Sequence, residues 1–157
     1  MNILVLNSGS STLKFSVHDT ATAGTLDSGT VECSDCGAAF QDVLRQLGTG
    51  SAPDAIGHRV VHGGPDFTGP ARLDANTIAT IERCSSLAPL HNEPALAVIR
   101  ASIARFPAIP QVAVFDTAFH RNMPQEASRY AIPQRWFRDH QVHRYGFHGI
   151  SHASVAG

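Results

Sequence analysis

The sequence carries no excess of charge of either sign. Twelve Lys and Arg stand against thirteen Asp and Glu, a formal net charge of -1 with His neutral. The broad basic face that grips nucleic acid is therefore not supplied by composition, and no nucleic-acid partner is expected. Long hydrophobic runs are missing as well. No stretch approaches the roughly 18 apolar residues of a membrane span, so no membrane partner is expected either. The first residues, Met1 to Asn7, hold only the apolar run Ile3 to Leu6 and no basic leader, short of the roughly 7–15 residues of a secretory core. Cysteine is scarce and odd in number: Cys33, Cys36 and Cys84 give no obvious disulfide framework. These absences together read as a reducing, cytoplasmic setting.

What remains suits a globular domain. The chain has 157 residues, 43% hydrophobic, enough for one domain, or for one domain and the start of another. Residues 2–7 read as a buried strand. Residues 12–18 alternate, with Leu13, Phe15 and Val17 against Lys14, Ser16 and His18, and read as a half-exposed strand. The polar turn between them makes an antiparallel hairpin, and 25–32 can supply a third strand. Phe40, Val43, Leu44 and Leu47 share one helix face, with Gly48 as its stop. Residues 55–62 read as a strand that ends in Gly63-Gly64-Pro65. Helices are expected over 74–84 and over 92–105, the second capped by Asn92. Residues 112–116 read as a buried strand ending in a carboxylate. The order is mixed α/β. Near residue 120 the character changes, with Pro124, Pro133 and little periodicity, so a domain junction is placed there. The last residues break off just as a helix begins, which reads as a cut.

Five short segments could carry chemistry. Asn7-Ser8-Gly9-Ser10-Ser11-Thr12 with Lys14 has the composition of a phosphate cradle: small residues that expose backbone N–H groups, hydroxyls and one cation. It lacks the Walker pattern, and local evidence alone favours a hairpin turn with a solvated lysine. In His58-Arg59-Val60-Val61-His62, Arg59 offers a fork that matches a carboxylate, or is a surface arginine. The histidines resemble metal ligands, without a third or fourth partner nearby in sequence. Ala88-Pro89-Leu90-His91-Asn92 reads as a loop running into a helix cap. Asp116 closes an apolar strand where α/β sheets place ligands, or caps the turn that follows. Glycines on both sides of Phe147-His148 form a loop that can present His148, and His152 shares its face if a helix starts at 148. The Cys33-x-x-Cys36 spacing suits a redox motif, but these cysteines are read as ordinary residues.

Taken in this order, the segments resemble the acetokinase family. The matching blocks are Asn7 to Lys14, Gly57 to Gly64, Leu87 to Asn92, Val114 to His120 and Arg144 to His152. The resemblance implies the ribonuclease H-like fold of the sugar kinase/actin superfamily, a mixed sheet with flanking helices. It implies residues 1–120 as an acyl-substrate and phosphate domain, and 121–157 as the truncated start of a nucleotide-binding domain. It implies reversible, in-line phosphoryl transfer from ATP to acetate with Mg²⁺, giving acetyl phosphate and ADP. By motif, Asn7 matches the magnesium residue. Lys14, Ser10 and Thr12 match contacts to the ATP phosphates. Arg59 matches the carboxylate clamp, and Val61, Leu90 and Phe147 the acyl pocket. Asp116 matches the catalytic carboxylate, His148 the residue that stabilises the phosphoryl group in flight, and His91 a second contact to it. Acetate is already ionised at neutral pH, so Asp116 is expected to orient groups more than to take a proton.

Some positions depart from the family pattern. Thr12 stands for Ser, Ile150 for Thr, and Glu93 separates Asn92 from Pro94. The stretch between Lys14 and Arg59 is short. Family members are more than twice this length and form homodimers. The chain alone is therefore expected to be inactive or nearly so. Propionate or butyrate kinase, a non-catalytic anion-binding half-domain and a zinc hydrolase using His58, His62, His148 and His152 stand as alternatives.

Overall fold

A computed structural model describes residues 1–48 and 52–156. Three consecutive strands open the chain: β1 (Asn2–Ser8), β2 (Thr12–Asp19) and β3 (Gly24–Glu32). They form an antiparallel meander, as the alternating pattern requires, with Asn7 opposite Lys14 across β1 and β2. The chain then crosses through α1 (Cys36–Leu47). Its start is set by Asp35, whose Oδ1 accepts the N–H groups of Gly37 and Ala38 at 2.9 and 3.1 Å. Its stop is Gly48, at φ +69°, a conformation that costs glycine little.

Strand β4 (Ala55–Val60) returns parallel to β1, and β6 (Gln111–Phe115) lies parallel beyond it. The two-residue β5 (Ala71–Arg72) closes the far edge, giving the order β3-β2-β1-β4-β6-β5. Between β5 and β6 run α2 (Ala75–Cys84) and α3 (Pro89–Arg105). After β6 come a 3-10 turn (Asp116–His120), then α4 (Gln125–Ser128), α5 (Gln134–His140) and α6 (Gly149–Ala156).

One face of the sheet is the core. Leu4 and Leu6, Leu13 and Phe15, and Ile56 meet Ala39, Phe40 and Val43 of α1 and Val98 of α3. Val60, Ala113 and Phe115 meet Ile81 of α2 and Leu96 and Ile99 of α3. Each such side chain contributes about 1.5–3 kcal/mol when fully buried. The alternate residues, Val5, Asn7, Gly57, Arg59, Val112 and Val114, are only half-buried on the other face. The period-two pattern thus fixes which side chains the open face displays.

The structure corrects several expectations. Strand β4 stops at Val60, because the backbone of His62 is held by a side chain and not by a neighbouring strand. Helix α3 starts at Pro89, so Asn92 lies inside it and is not its cap. The segment Pro89 to His91 is accordingly helix and not loop. Strand β6 runs Gln111–Phe115, one residue earlier than expected. Cys33 and Cys36 are bridged as a disulfide, with Cα atoms 5.3 Å apart. Their reading as ordinary residues does not hold, because the turn into α1 brings both side chains together. Gly157 lies outside the described residues.

Candidate functional site

The three parallel strands end side by side, and their last polar residues meet. Asn7 is the penultimate residue of β1, Arg59 stands one before the end of β4, and Asp116 follows β6 directly. In register, Leu6 pairs with His58 and Arg59 with Val114, so Asn7 and Arg59 share the open face. Arg59 reaches across both neighbours. Its Nη2 donates to Asp116 Oδ2 at 2.6 Å, Nε to Oδ1 at 3.3 Å, and Nη1 to Asn7 Oδ1 at 3.0 Å. The two-point contact with Asp116 is the fork geometry that arginine favours with a carboxylate. Asp116 is 1% exposed, and both of its carboxylate oxygens accept from this one guanidinium.

Three of the five guanidinium N–H donors are used in these bonds. One N–H on each Nη has no acceptor among the described residues and can serve a second anion. The hairpin turn lies next to this corner. Gly9 N–H donates to Thr12 O at 2.7 Å, closing the turn, and Ser10 is exposed on it. Lys14 is exposed opposite Asn7.

A second layer fixes the loop after β4. The Asn92 amide, fully buried, accepts the His62 N–H through Oδ1 at 3.1 Å and donates through Nδ2 to His62 O at 2.8 Å. Gly63 N–H donates to Thr117 Oγ1 at 3.0 Å. Gly64 N–H donates to His62 Nδ1 at 2.9 Å, which places the ring proton of a neutral His62 on Nε2. Burial, with the charge of His143, pushes the His62 pKa down. Rings of Tyr145 and Phe147 meet the His62 ring edge-on, with centroids at 4.4 and 5.8 Å. Residue pattern alone did not assign Asn92 or Thr117 these roles. The one hint was an asparagine, a weak helix former, placed just after a helix-starting proline.

Of the other expected residues, Val61 is buried beside His62. Leu90 and His91 project from the exposed first turn of α3, directly before the Asn92 clamp. Pro94 lacks the N–H that would bond the Leu90 carbonyl, so that first turn is left open to solvent. His148 is exposed and sits at φ +56°, a conformation non-glycine residues seldom adopt. It precedes Gly149, which is buried flat against Asp116: a Cβ there would collide with the Asp116 carbonyl and with Phe119. His120 Nε2 donates to Phe147 O at 2.9 Å, tying the same loop down. Helix α6 starts at Gly149 and not at 148; His152 N–H donates to His148 O at 2.9 Å, and the His152 ring lies against Phe119 and His120.

The zinc-type set is not assembled. His58 is buried under the helices, its Nε2 donating to Gln111 Oε1 at 2.8 Å, far from the exposed His148 and His152. Among the described residues no group of three or more His, Cys, Asp or Glu side chains stands ready for a cation. No helix among them is long and apolar enough to cross a membrane. A groove of about 760 Å³ is lined by Asn2, Val17, Leu44 and Phe106, at the opposite end of the parallel strands from Arg59.

The sheet order and the polar cluster at the parallel strand ends define an α/β protein of the ribonuclease H-like, sugar kinase/actin class. Within that class the chain belongs to the acetokinase family, whose model matches residues 46–157. It is 43% identical to the acetate kinase of Deinococcus radiodurans over 180 residues, covering 98% of this chain and 45% of that protein. It is 45% identical to the acetate kinase of Micrococcus luteus over 175 residues, covering all of this chain and 45% of that protein. Among solved structures, a propionate kinase from Francisella tularensis superposes with a TM-score of 0.88 at 36% identity, covering 98% of this chain and 47% of that one. The acetate kinase of Porphyromonas gingivalis gives 0.83 at 33%, covering 96% and 46%. The chain thus spans less than half the length of these relatives.

Proposed function

We propose that this chain is the acyl-binding and phosphate-binding portion of an acyl kinase that transfers a phosphoryl group reversibly between ATP and acetate. The observation that carries the reading is the Asn7–Arg59–Asp116 cluster, in which a buried carboxylate orients an arginine that keeps one N–H free on each Nη. Residues 1–120 form the acyl and phosphate domain in this reading, and 121–157 open the nucleotide-binding one.

The chemistry follows from charge. Acetate needs no base to become a nucleophile. The task is to bring two anions into line and to neutralise the equatorial oxygens of the transferring group. Arg59 holds the acetate carboxylate through its two remaining N–H groups. Asp116 fixes the plane of that guanidinium and takes no proton. Val61, Leu90 and Phe147 enclose the methyl group. Lys14 and the N–H and hydroxyl groups of Ser10 and Thr12 meet the phosphates of the nucleotide. His148, turned outward by its backbone, faces the transferring phosphoryl group, with His91 beside it.

The donor types also suit magnesium. Asn7 Oδ1 and the Asp116 carboxylate converge on one guanidinium, and such hard oxygens, completed by water and phosphate oxygens, are what this ion accepts. Asn7 would hold it, with Asp116 acting through bound water, and it would supply positive charge against the nucleotide phosphates.

The reading is tested by titrating acetyl phosphate into the labelled chain and following its amide spectrum. Shifts at Ser10, Arg59 and Val61, lost in Arg59→Ala, are expected. A spectrum unmoved at millimolar acetyl phosphate would sink the reading. Hydroxamate trapping with MgATP and acetate, propionate or butyrate then ranks the acyl groups. The pocket alone separates neighbours by only about 1–3 kcal/mol per methylene, so propionate is the second candidate substrate of the same site, a reading compatible with the likeness to the Francisella tularensis propionate kinase.

A further inference from the structure

The Cys33–Cys36 bridge lies against the hairpin turn, away from any role discussed so far. Cys33 N–H donates to Ser11 O at 2.9 Å. Cys36 Sγ stands 3.8 Å from Gly9 O. Both carbonyls of the turn therefore face the Cys-Ser-Asp-Cys segment that opens α1. Cys36 is buried and Cys33 half-buried, so Cys33 is the more accessible member of the pair.

The redox state decides what Cys36 can do for Gly9. In the disulfide neither sulfur carries a proton, and the 3.8 Å approach is a bare sulfur–oxygen contact. In the dithiol, the Cys36 S–H becomes a donor aimed at Gly9 O. The Gly9–Ser10 peptide is planar and trans, so its C=O and N–H point in opposite directions. Drawing Gly9 O toward Cys36 turns the Ser10 N–H away from α1, out of the turn. Losing that donor frees the peptide to rotate.

We propose that Cys33 and Cys36 are a reversible dithiol–disulfide pair, exchanged by small-molecule disulfides, which sets the orientation of the Gly9–Ser10 peptide. The exchange runs in two steps. The Cys33 thiolate attacks one sulfur of the disulfide reagent, forming a mixed disulfide and releasing one thiolate. The Cys36 thiolate then attacks the Cys33 sulfur and releases the second. The protein loses two electrons and two thiol protons, and the reagent gains the electrons as two thiols. Cys33 acts first because it is the more accessible member. The exchange stands apart from the acyl kinase reading, and only its bearing on phosphate contacts at Ser10 rests on that reading.

The probe is oxidised glutathione against reduced glutathione, with the chain free of ligand. Titratable thiols in the unfolded, acid-quenched protein should fall from three to one, with no glutathione retained. The Ser10 amide signal should shift, and dithiothreitol should restore it. In Cys36→Ser the hydroxyl can still donate to Gly9 O, so Ser10 should sit near its reduced position in both buffers. Cys33→Ser should likewise show no oxidant-dependent shift. Three thiols throughout, or a retained glutathione adduct, would overturn the pair. A fall to one thiol with Ser10 unmoved, or an oxidant shift that persists in either variant, would overturn its coupling to the turn. Failure here leaves the acetyl phosphate titration unaffected, so the two readings fail separately.

Discussion

Asp116 meets Arg59 at two points, Oδ2 to Nη2 at 2.6 Å and Oδ1 to Nε at 3.3 Å, while being itself almost wholly buried. The carboxylate has given up water and depends on that guanidinium. Arg59 retains a quarter of its side-chain exposure, so it can be rehydrated when its partner is removed. Asp116→Ala should therefore cost about 1–3 kcal/mol, below the figure for a wholly buried pair. Urea unfolding measures it. An unchanged midpoint would mean that the pair contributes nothing to stability and serves ligand binding alone.

Asn92 gives the backbone of His62 what a neighbouring strand would otherwise give. Asn92→Ala would leave a buried N–H and a buried C=O unpaired. A loss of about 2–6 kcal/mol is expected, from about 1–3 kcal/mol for each orphaned group. Asn92→Asp keeps the acceptor and loses the donor, so hydrogen exchange at the His62 amide should be slower in it than in the alanine variant. Equal exchange in both would show that the clamp on His62 N–H is not formed.

His58 supplies a pH dependence with a defined sign. Burial pushes its pKa from 6.5 down to about 4, against a smaller upward pull from Gln111. Above about pH 6.5 the ring is neutral in both folded and unfolded chains, and the full stability is present. As pH falls toward 4 the unfolded chain binds a proton that the folded chain refuses, and stability drops. Below 4 this contribution levels off. The loss is about 3 kcal/mol across the window. His62 and His143, whose pKa values burial also lowers, act in the same direction. Urea midpoints at pH 7 and pH 4.5 should show a shallower dependence in His58→Gln. Parallel curves for the two proteins would remove His58 as the cause.

The sheet was legible because its alternation is regular: Leu4 and Leu6 against Val5 and Asn7 read the same way in pattern and in space. The end of β4 was not, since Val61 and His62 continue an apolar, alternating run. What stops the strand is a side chain thirty positions away. The same distance explains Asn92. Local rules favour asparagine as a cap, and nothing local announces a partner on another element. The residue types of the site were legible, Asn7, Arg59 and Asp116 among them, but their mutual hydrogen bonds were not. Arg59 and Asp116 are 57 residues apart, and only the parallel pairing of β4 and β6 brings them together. The cysteine spacing permitted a bridge without requiring one. The left-handed backbone at His148 had no signal, because histidine does not demand it.

The strand-end cluster also acts as a ruler for the sheet. If β4 slid by one residue against β1, every side chain on it would change face. Arg59 would then be driven under α1 and α3, without Asp116 or Asn7, and His58 would surface without Gln111. An unpaired guanidinium in that layer would cost several kcal/mol. The alternation of Ile56, His58 and Val60 resists the slip from one side of the sheet, and the charge on Arg59 resists it from the other. Arg59, with Asp116 and Asn7, thereby helps decide which pairing of the strands survives folding.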